Sequence, residues 1–295
     1  ELAVAMQAGH RVLLVGDHFQ LPPTFSDEIK ELIKSRFSIG DEFSLFSSDF
    51  ERIFDSGYGK KVGTTLLRQY RMAPDIGELV SDCFYKGKLE PGRGTPPEYY
   101  DLLPEQFSKQ VCWVDISTLK EHGIEQTSEK GKDRWNRLEA KVVMELLRLI
   151  LESDDFIEFL KEDLQPQEPP IGIICMYHKQ REIIDQMKAE APWLGDARRL
   201  VKVDTVDSYQ GKENRIIIIS TVRNNPTFNP GFLRSPNRIN VAMSRAMERL
   251  FIVGASKMWE GRNSALPLGK VLNKIKSMAA EGKADFLPAS QFMVK

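Results

Sequence analysis

Four consecutive isoleucines, Ile216 to Ile219, constrain this chain more than any other stretch. An all-apolar strand has no face to give to water, so it belongs inside a sheet covered by helices on both sides, the setting of parallel α/β sheets. The run is fed by a polar turn, Val203-Asp204-Thr205-Val206-Asp207-Ser208-Tyr209-Gln210-Gly211-Lys212-Glu213. Hydroxyl and acidic side chains leading into a buried strand are how nucleotide-handling α/β domains place chemistry at a strand edge.

The rest of the chain alternates in the same manner. Leu2 to Gln7 reads as the end of a helix and Arg11 to Val15 as a buried strand. A helix with Ile29, Leu32 and Ile33 on one face follows the loop Gly16-Asp17-His18-Phe19-Gln20-Leu21-Pro22-Pro23. Pro74 opens a helix burying Ile76, Leu79, Val80, Cys83 and Phe84. Val111 to Ile116 is a strand, and Leu138 to Leu151 a helix turning Leu138, Val142, Val143, Leu146, Leu147 and Ile150 inward. The strand Ile171 to Tyr177 leads into a crossover helix, His178 to Glu190, burying Ile183, Ile184 and Met187. Then come strands at Val201 to Val206 and Arg215 to Val222, a helix after Ser235-Pro236, a strand at Leu250 to Gly254 and a closing helix through Leu268, Leu272 and Ile275. Pro91 to Pro97 reads as a loop or domain linker, Lys120 to Arg134 as an exposed loop, and Gln165 to Pro170 as a break. This alternation predicts an α/β fold, a doubly wound and mostly parallel sheet with its ligands at the carboxyl ends of the strands.

Bulk properties narrow the class. A 295-residue chain with 41% hydrophobic and 28% charged residues is that of a soluble globular protein of one large or two ordinary domains. A net charge of -1 excludes a uniformly basic binder of nucleic acid while permitting a local basic groove. Cys83, Cys112 and Cys175 form no CxxC pair and read as buried thiols of a reducing compartment. No apolar run reaches the roughly 20 residues of a membrane span, and Glu1-Leu2-Ala3 does not start a signal peptide. The expectation is an intracellular protein, cytoplasmic or nuclear, with no membrane partner. A core strand so close to residue 1 suggests a piece of a longer chain.

Several polar segments carry the chemistry. The Gly16 to Pro23 loop fixes the directions of Asp17 and Gln20, although a rigid connector would look the same. Tyr70 and Arg71 stand at a helix entrance, outside its apolar stripe; beside a phosphate, Arg71 becomes a clamp. Thr205 and Asp207 are equally suited to capping a turn, and Tyr70 to a core position with a bonded hydroxyl. Taken in order, Gly16 to Pro23, Gln69-Tyr70-Arg71-Met72, Thr205 to Glu213 and Asn240-Val241-Ala242-Met243-Ser244-Arg245-Ala246 resemble motifs III to VI of superfamily 1 helicases. The match is to the 5′→3′ branch that includes RNA-decay and Okazaki-fragment-processing enzymes.

The resemblance implies a RecA-like second motor domain, residues 69–295, preceded by the end of a first RecA-like domain, residues 1–68. It implies that Arg71 and Arg245 aim at the γ-phosphate of ATP and that Gln20 links that phosphate to the nucleic-acid site. It further implies that Glu213 holds the ribose, that Tyr70 stacks on the base, that Gly211 admits close backbone approach, and that Thr205 contacts a strand phosphate. ATP and Mg2+ are the implied cofactors, and single-stranded DNA or RNA and an upstream first RecA-like domain the implied partners. The GxxxxGK[ST] phosphate loop and the acidic pair for Mg2+ do not occur in these residues, so the chain alone is expected to be inactive. A non-catalytic RecA-like scaffold binding nucleic acid or protein is the alternative. Most of Trp113, Trp135, Trp193 and Trp259 are expected to pack, a strand-stacking residue among them being the alternative.

Overall fold

The computed structural model describes residues 7, 9–22, 27–37, 48–129, 131, 133–162 and 168–292. The chain divides into two compact units, Glu1–Leu66 and Leu67–Lys295. The expected helix end at Leu2 to Met6 and the break at Gln165 to Gln167 lie outside the described residues.

In the first unit, helices α1 (Asp27–Phe37), α2 (Asp49–Asp55) and the single turn α3 (Gly59–Val62) follow the Gly16 loop. The Ser48 hydroxyl caps α2 by accepting from the Glu51 N–H. Arg11 to Val15 is not a buried strand: it is irregular, and Leu13 and Val15 are almost fully exposed. A parallel strand is made by its neighbours, and the described residues of this unit offer none to pair with. Ile29 and Leu32 are also exposed.

The second unit is built on six parallel strands in the order β10-β3-β9-β8-β6-β7. They are β3 (Val111–Asp115), β6 (Ile171–Cys175), β7 (Val201–Thr205), β8 (Asn214–Ser220), β9 (Ala246–Gly254) and β10 (Ala284–Pro288). Two-residue strands β1 (Arg68–Gln69) and β2 (Glu90–Pro91) pair apart from this sheet, as do β4 (Gln126–Thr127) and β5 (Arg134–Trp135). Ile216 to Ile219 lie in the centre, fully buried, between β6 and β9. Helices α4 (Pro74–Phe84), α8 (Pro236–Met243) and α9 (Pro267–Ala280) pack together on one face, and α5 (Arg137–Ile150) and α7 (His178–Glu190) on the other; α6 (Asp154–Glu162) flanks the sheet. This is the expected RecA-like, doubly wound arrangement.

Some local readings change. Leu138, Met187 and Cys83 are only half-buried. Trp113 and Trp259 are core residues, and Trp193 is exposed. The described residues of the Lys120 to Arg134 span are not an open loop throughout, because they contain buried Glu125 and β4, in which Thr127 pairs with Arg134 and Gln126 with Trp135.

Glu125 belongs to a polar network under the carboxyl ends of the strands. Its carboxylate pairs with Arg134 at 3.0 Å and buried Arg223 at 2.8 Å, and accepts from the Asn224 N–H at 2.9 Å. Nearby Glu139, fully buried on α5, accepts from the Ser220 hydroxyl and the Val222 N–H. Gln180 at the start of α7 joins the network through Asn136 and Ser220. Loss of hydration pushes the Glu139 carboxyl up to about 8. The native state therefore keeps a proton that the unfolded chain releases, and stability falls as pH rises between about 5 and 8. Glu139→Gln retains the acceptor and removes the titration. Urea midpoints should fall across that pH window for the wild type and stay flat for the variant.

Candidate functional site

Three separated segments meet at the amino ends of β8 and β9. Asn214 stands level with Ala246 there, and the Asn214 N–H donates to the Arg245 carbonyl at 3.1 Å. The candidate arginines approach from either side. Arg71 forms an ion pair with Glu213 through Nε and donates from Nη1 to the Ser244 carbonyl at 3.2 Å. Both partners of the pair are about one-third exposed, so a ligand can reach them.

Arg245 is held differently. It follows α8, in the junction where Ser244 ends the helix and Ala246 starts β9, and is 1% exposed. Its Nε donates to the Val241 carbonyl, Nη1 to the Lys212 carbonyl and Nη2 to the Ser244 hydroxyl, each at 3.1 Å. The guanidinium thus ties Lys212, beside Glu213, to the end of α8. Ser244 touches both arginines and was not singled out by its sequence.

Tyr70 is exposed, which excludes a core role for its ring. The ring lies across Gly92: a Cβ built there would sit 2.8 Å from two ring carbons and 2.8 Å from the Gln69 carbonyl, so no larger residue fits without moving Tyr70. Pro91 to Arg93 is consequently a shelf rather than a domain linker. Its β2 strand pairs with β1, the Gly92 N–H donates to the Gln69 carbonyl at 2.7 Å, and Arg93 Nη1 donates to the Arg71 carbonyl at 2.9 Å. Arg93 is fixed in turn by an ion pair to buried Glu248 on β9, which also accepts from the Tyr100 hydroxyl. The signal for this anchor is an acid inside an otherwise buried strand, since such a charge must have partners.

The remaining candidates separate. Thr205 lies at the carboxyl end of β7, level with Cys175 and Ser220, and its hydroxyl bonds that of Ser208 at 3.1 Å. By register it is six residues along the strand direction from Asn214, or about 20 Å. Only Thr205 therefore meets the expectation of a site at the carboxyl ends; Arg71, Glu213 and Arg245 gather at the amino ends. Gly211 lies in the connecting segment with φ +82, a conformation that L side chains strain to adopt. Gln20 belongs to the first unit, where its amide donates to Asp17 Oδ2 at 2.9 Å and Asp17 Oδ1 accepts from the Phe19 N–H at 3.0 Å. Among the described residues no group of three or more His, Cys, Asp or Glu side chains is placed to hold a metal ion. No described helix is long and apolar enough to cross a membrane.

A family model described as an AAA domain matches residues 45–257. The chain is 32% identical over 250 residues to the ATP-dependent helicase NAM7 of Saccharomyces cerevisiae, which covers 84% of this chain and 23% of that protein. It is 31% identical over 263 residues to regulator of nonsense transcripts 1 of Caenorhabditis elegans, covering 88% of this chain and 22% of that one. To the putative helicase MOV-10 of Gallus gallus it is 29% identical over 263 residues, covering 83% and 26%. The chain belongs to the AAA domain family, among its superfamily 1 helicases of the Upf1 type. It spans about a quarter or less of the length of these relatives.

The Arg93 anchor yields a stability prediction. Arg93→Ala leaves the Glu248 carboxylate buried with the Tyr100 hydroxyl as its remaining described partner, which should cost about 2–4 kcal/mol and lower the urea midpoint; Arg93→Lys should recover part of the loss.

Proposed function

We propose that this chain is the nucleotide-responsive and strand-gripping part of an ATP-dependent helicase or translocase. The observation that carries the reading is the convergence of Arg71, Glu213 and Arg245 at one sheet edge, with Thr205 on the opposite edge at the far end of the same segment. A scaffold has no need of this interlock.

ATP, when bound, supplies the phosphoryl group whose transfer to water drives the cycle. Tyr70 offers a base an exposed ring braced from below by Gly92. Glu213, by turning its carboxylate to the ribose hydroxyls, releases the Arg71 guanidinium toward phosphate. Arg245, buried and held by the Val241 and Lys212 carbonyls, would hold phosphate oxygens by giving up those acceptors, which would loosen the hold on the segment leading back to Thr205. Two guanidinium groups over the developing charge are the expected source of rate, an arginine finger being worth roughly 10³ to 10⁵. Gln20 reports the phosphate to the nucleic-acid site through its uncharged amide. Gly211 keeps the backbone open to close approach beside Glu213.

A first RecA-like domain, beginning upstream and ending near residue 68, supplies the phosphate loop and the Mg2+ ligands, so this chain by itself does not hydrolyse ATP. The partner is single-stranded nucleic acid, DNA or RNA, held through phosphate contacts that weaken with salt. The protein works inside the cell, in cytoplasm or nucleus.

In the full-length protein, Arg245→Ala should lower ATP turnover by about a thousandfold or more and leave nucleotide-free single-strand binding mostly intact. Turnover near wild type in that variant would remove the assignment.

A further inference from the structure

The segment between β8 and α8, Thr221 to Ser235, leaves the carboxyl edge of the sheet on the strand next but one to Thr205. Among the described residues it is anchored by several polar contacts. Glu139 holds the Val222 N–H, and Glu125 holds Arg223, Asn224 and Asn225. Asn225 Oδ1 accepts from the Asn229 N–H at 2.9 Å, and Asn263 Nδ2 donates to the Phe228 carbonyl at 2.9 Å. Two residues take left-handed backbone conformations that their side chains disfavour, Val222 at φ 69 and Phe228 at φ 53. Such conformations persist only where the surroundings over-determine them, and they concentrate at ligand sites.

What this framework presents is the Phe228 ring, 40% exposed, with the exposed Arg262 guanidinium 5.0 Å from its centroid. The other exposed Phe, Tyr or Trp side chains among the described residues of this unit stand elsewhere. Tyr70 is beside the amino end of β9, Trp193 precedes β7, and Tyr99 is stacked on Phe159 before β3. Neither buried Trp113 nor buried Trp259 can meet a strand. At the carboxyl edge the exposed aromatic is Phe228, and Arg262 and Lys257 provide positive charge on the neighbouring segment after β9.

We propose that Phe228, backed by Arg262, is a stacking platform for one unpaired nucleobase of the bound single strand. An aromatic face accepts any base, and a guanidinium beside it adds cation–π attraction and a phosphate contact, so the site grips without reading sequence. The platform rests on the proposed single-strand-binding role and gives that role a base contact beside the phosphate contact at Thr205. Its preformed loop means that little ordering accompanies binding.

The test uses the full-length protein and fluorescein-labelled oligo-dT and oligo-rU tracts, with abasic tracts of equal length, titrated by anisotropy at several salt concentrations. Phe228→Ala should weaken binding of base-bearing tracts roughly five- to a hundredfold, leave abasic tracts bound as by the wild type, and keep the salt slope. Phe228→Trp should restore affinity, and Phe228→Leu should not. Wild-type affinity of Phe228→Ala for base-bearing tracts, or an equal loss on abasic tracts, overturns the platform while leaving the motor reading standing. If the wild type binds neither tract, both readings fall together.

Discussion

Strand register is the constraint on which the candidate site depends. Parallel pairing sets Thr205 level with Ser220 at one edge of the sheet and Asn214 level with Ala246 at the other. Residues 206–213 must therefore travel the length of the sheet, and they do so with Tyr209 buried on the way. One short segment thus ends in a hydroxyl at the carboxyl edge and in an acid at the amino edge. Nothing about its composition alone requires that separation; it follows from where β7 stops and β8 starts.

The two ends are held by different physics. At the amino edge, the Arg71–Glu213 pair is partly exposed, a contact that a phosphate can replace, while Arg245 beside it is buried and holds the Lys212 carbonyl. At the carboxyl edge, buried Glu125 and Glu139 fix the base of the Thr221 to Ser235 loop with contacts shielded from water. Exchangeable contacts suit a place where a ligand comes and goes, and buried ones suit a rigid platform. The proposed mechanism uses that difference.

The strands and helices of the sheet domain were legible because their apolar periods are strong: His178–Glu190 and the helix after Ser235 are found where their patterns place them. Arg11 to Val15 has the same apolar character yet forms no strand, because composition cannot supply a pairing partner. β10, short and ending in Pro288, lacks the alternation that would reveal an edge strand. Motif order pointed to Arg71, Glu213 and Arg245 as a set, and they do meet. The supporting residues were not legible, since Arg93 sits in a stretch rich in proline and glycine that reads as a linker, and its partner Glu248 is over 150 residues away in sequence. Buried Glu139 was hidden on the face of a helix whose apolar stripe drew attention to its neighbours.

The segment from Thr205 to Glu213 is proposed to couple the nucleotide edge to the strand edge, and Gly211 is the position at which to test that coupling. A Cβ there meets no neighbour, so alanine changes only the backbone conformation available at φ +82. The decisive measurement is the ratio of single-strand affinities with and without a saturating non-hydrolysable ATP analogue, in the full-length wild type and in Gly211→Ala. The ratio should lie well away from one in the wild type and close to one in the variant, with nucleotide-free strand affinity unchanged. An identical ratio in both proteins would contradict it.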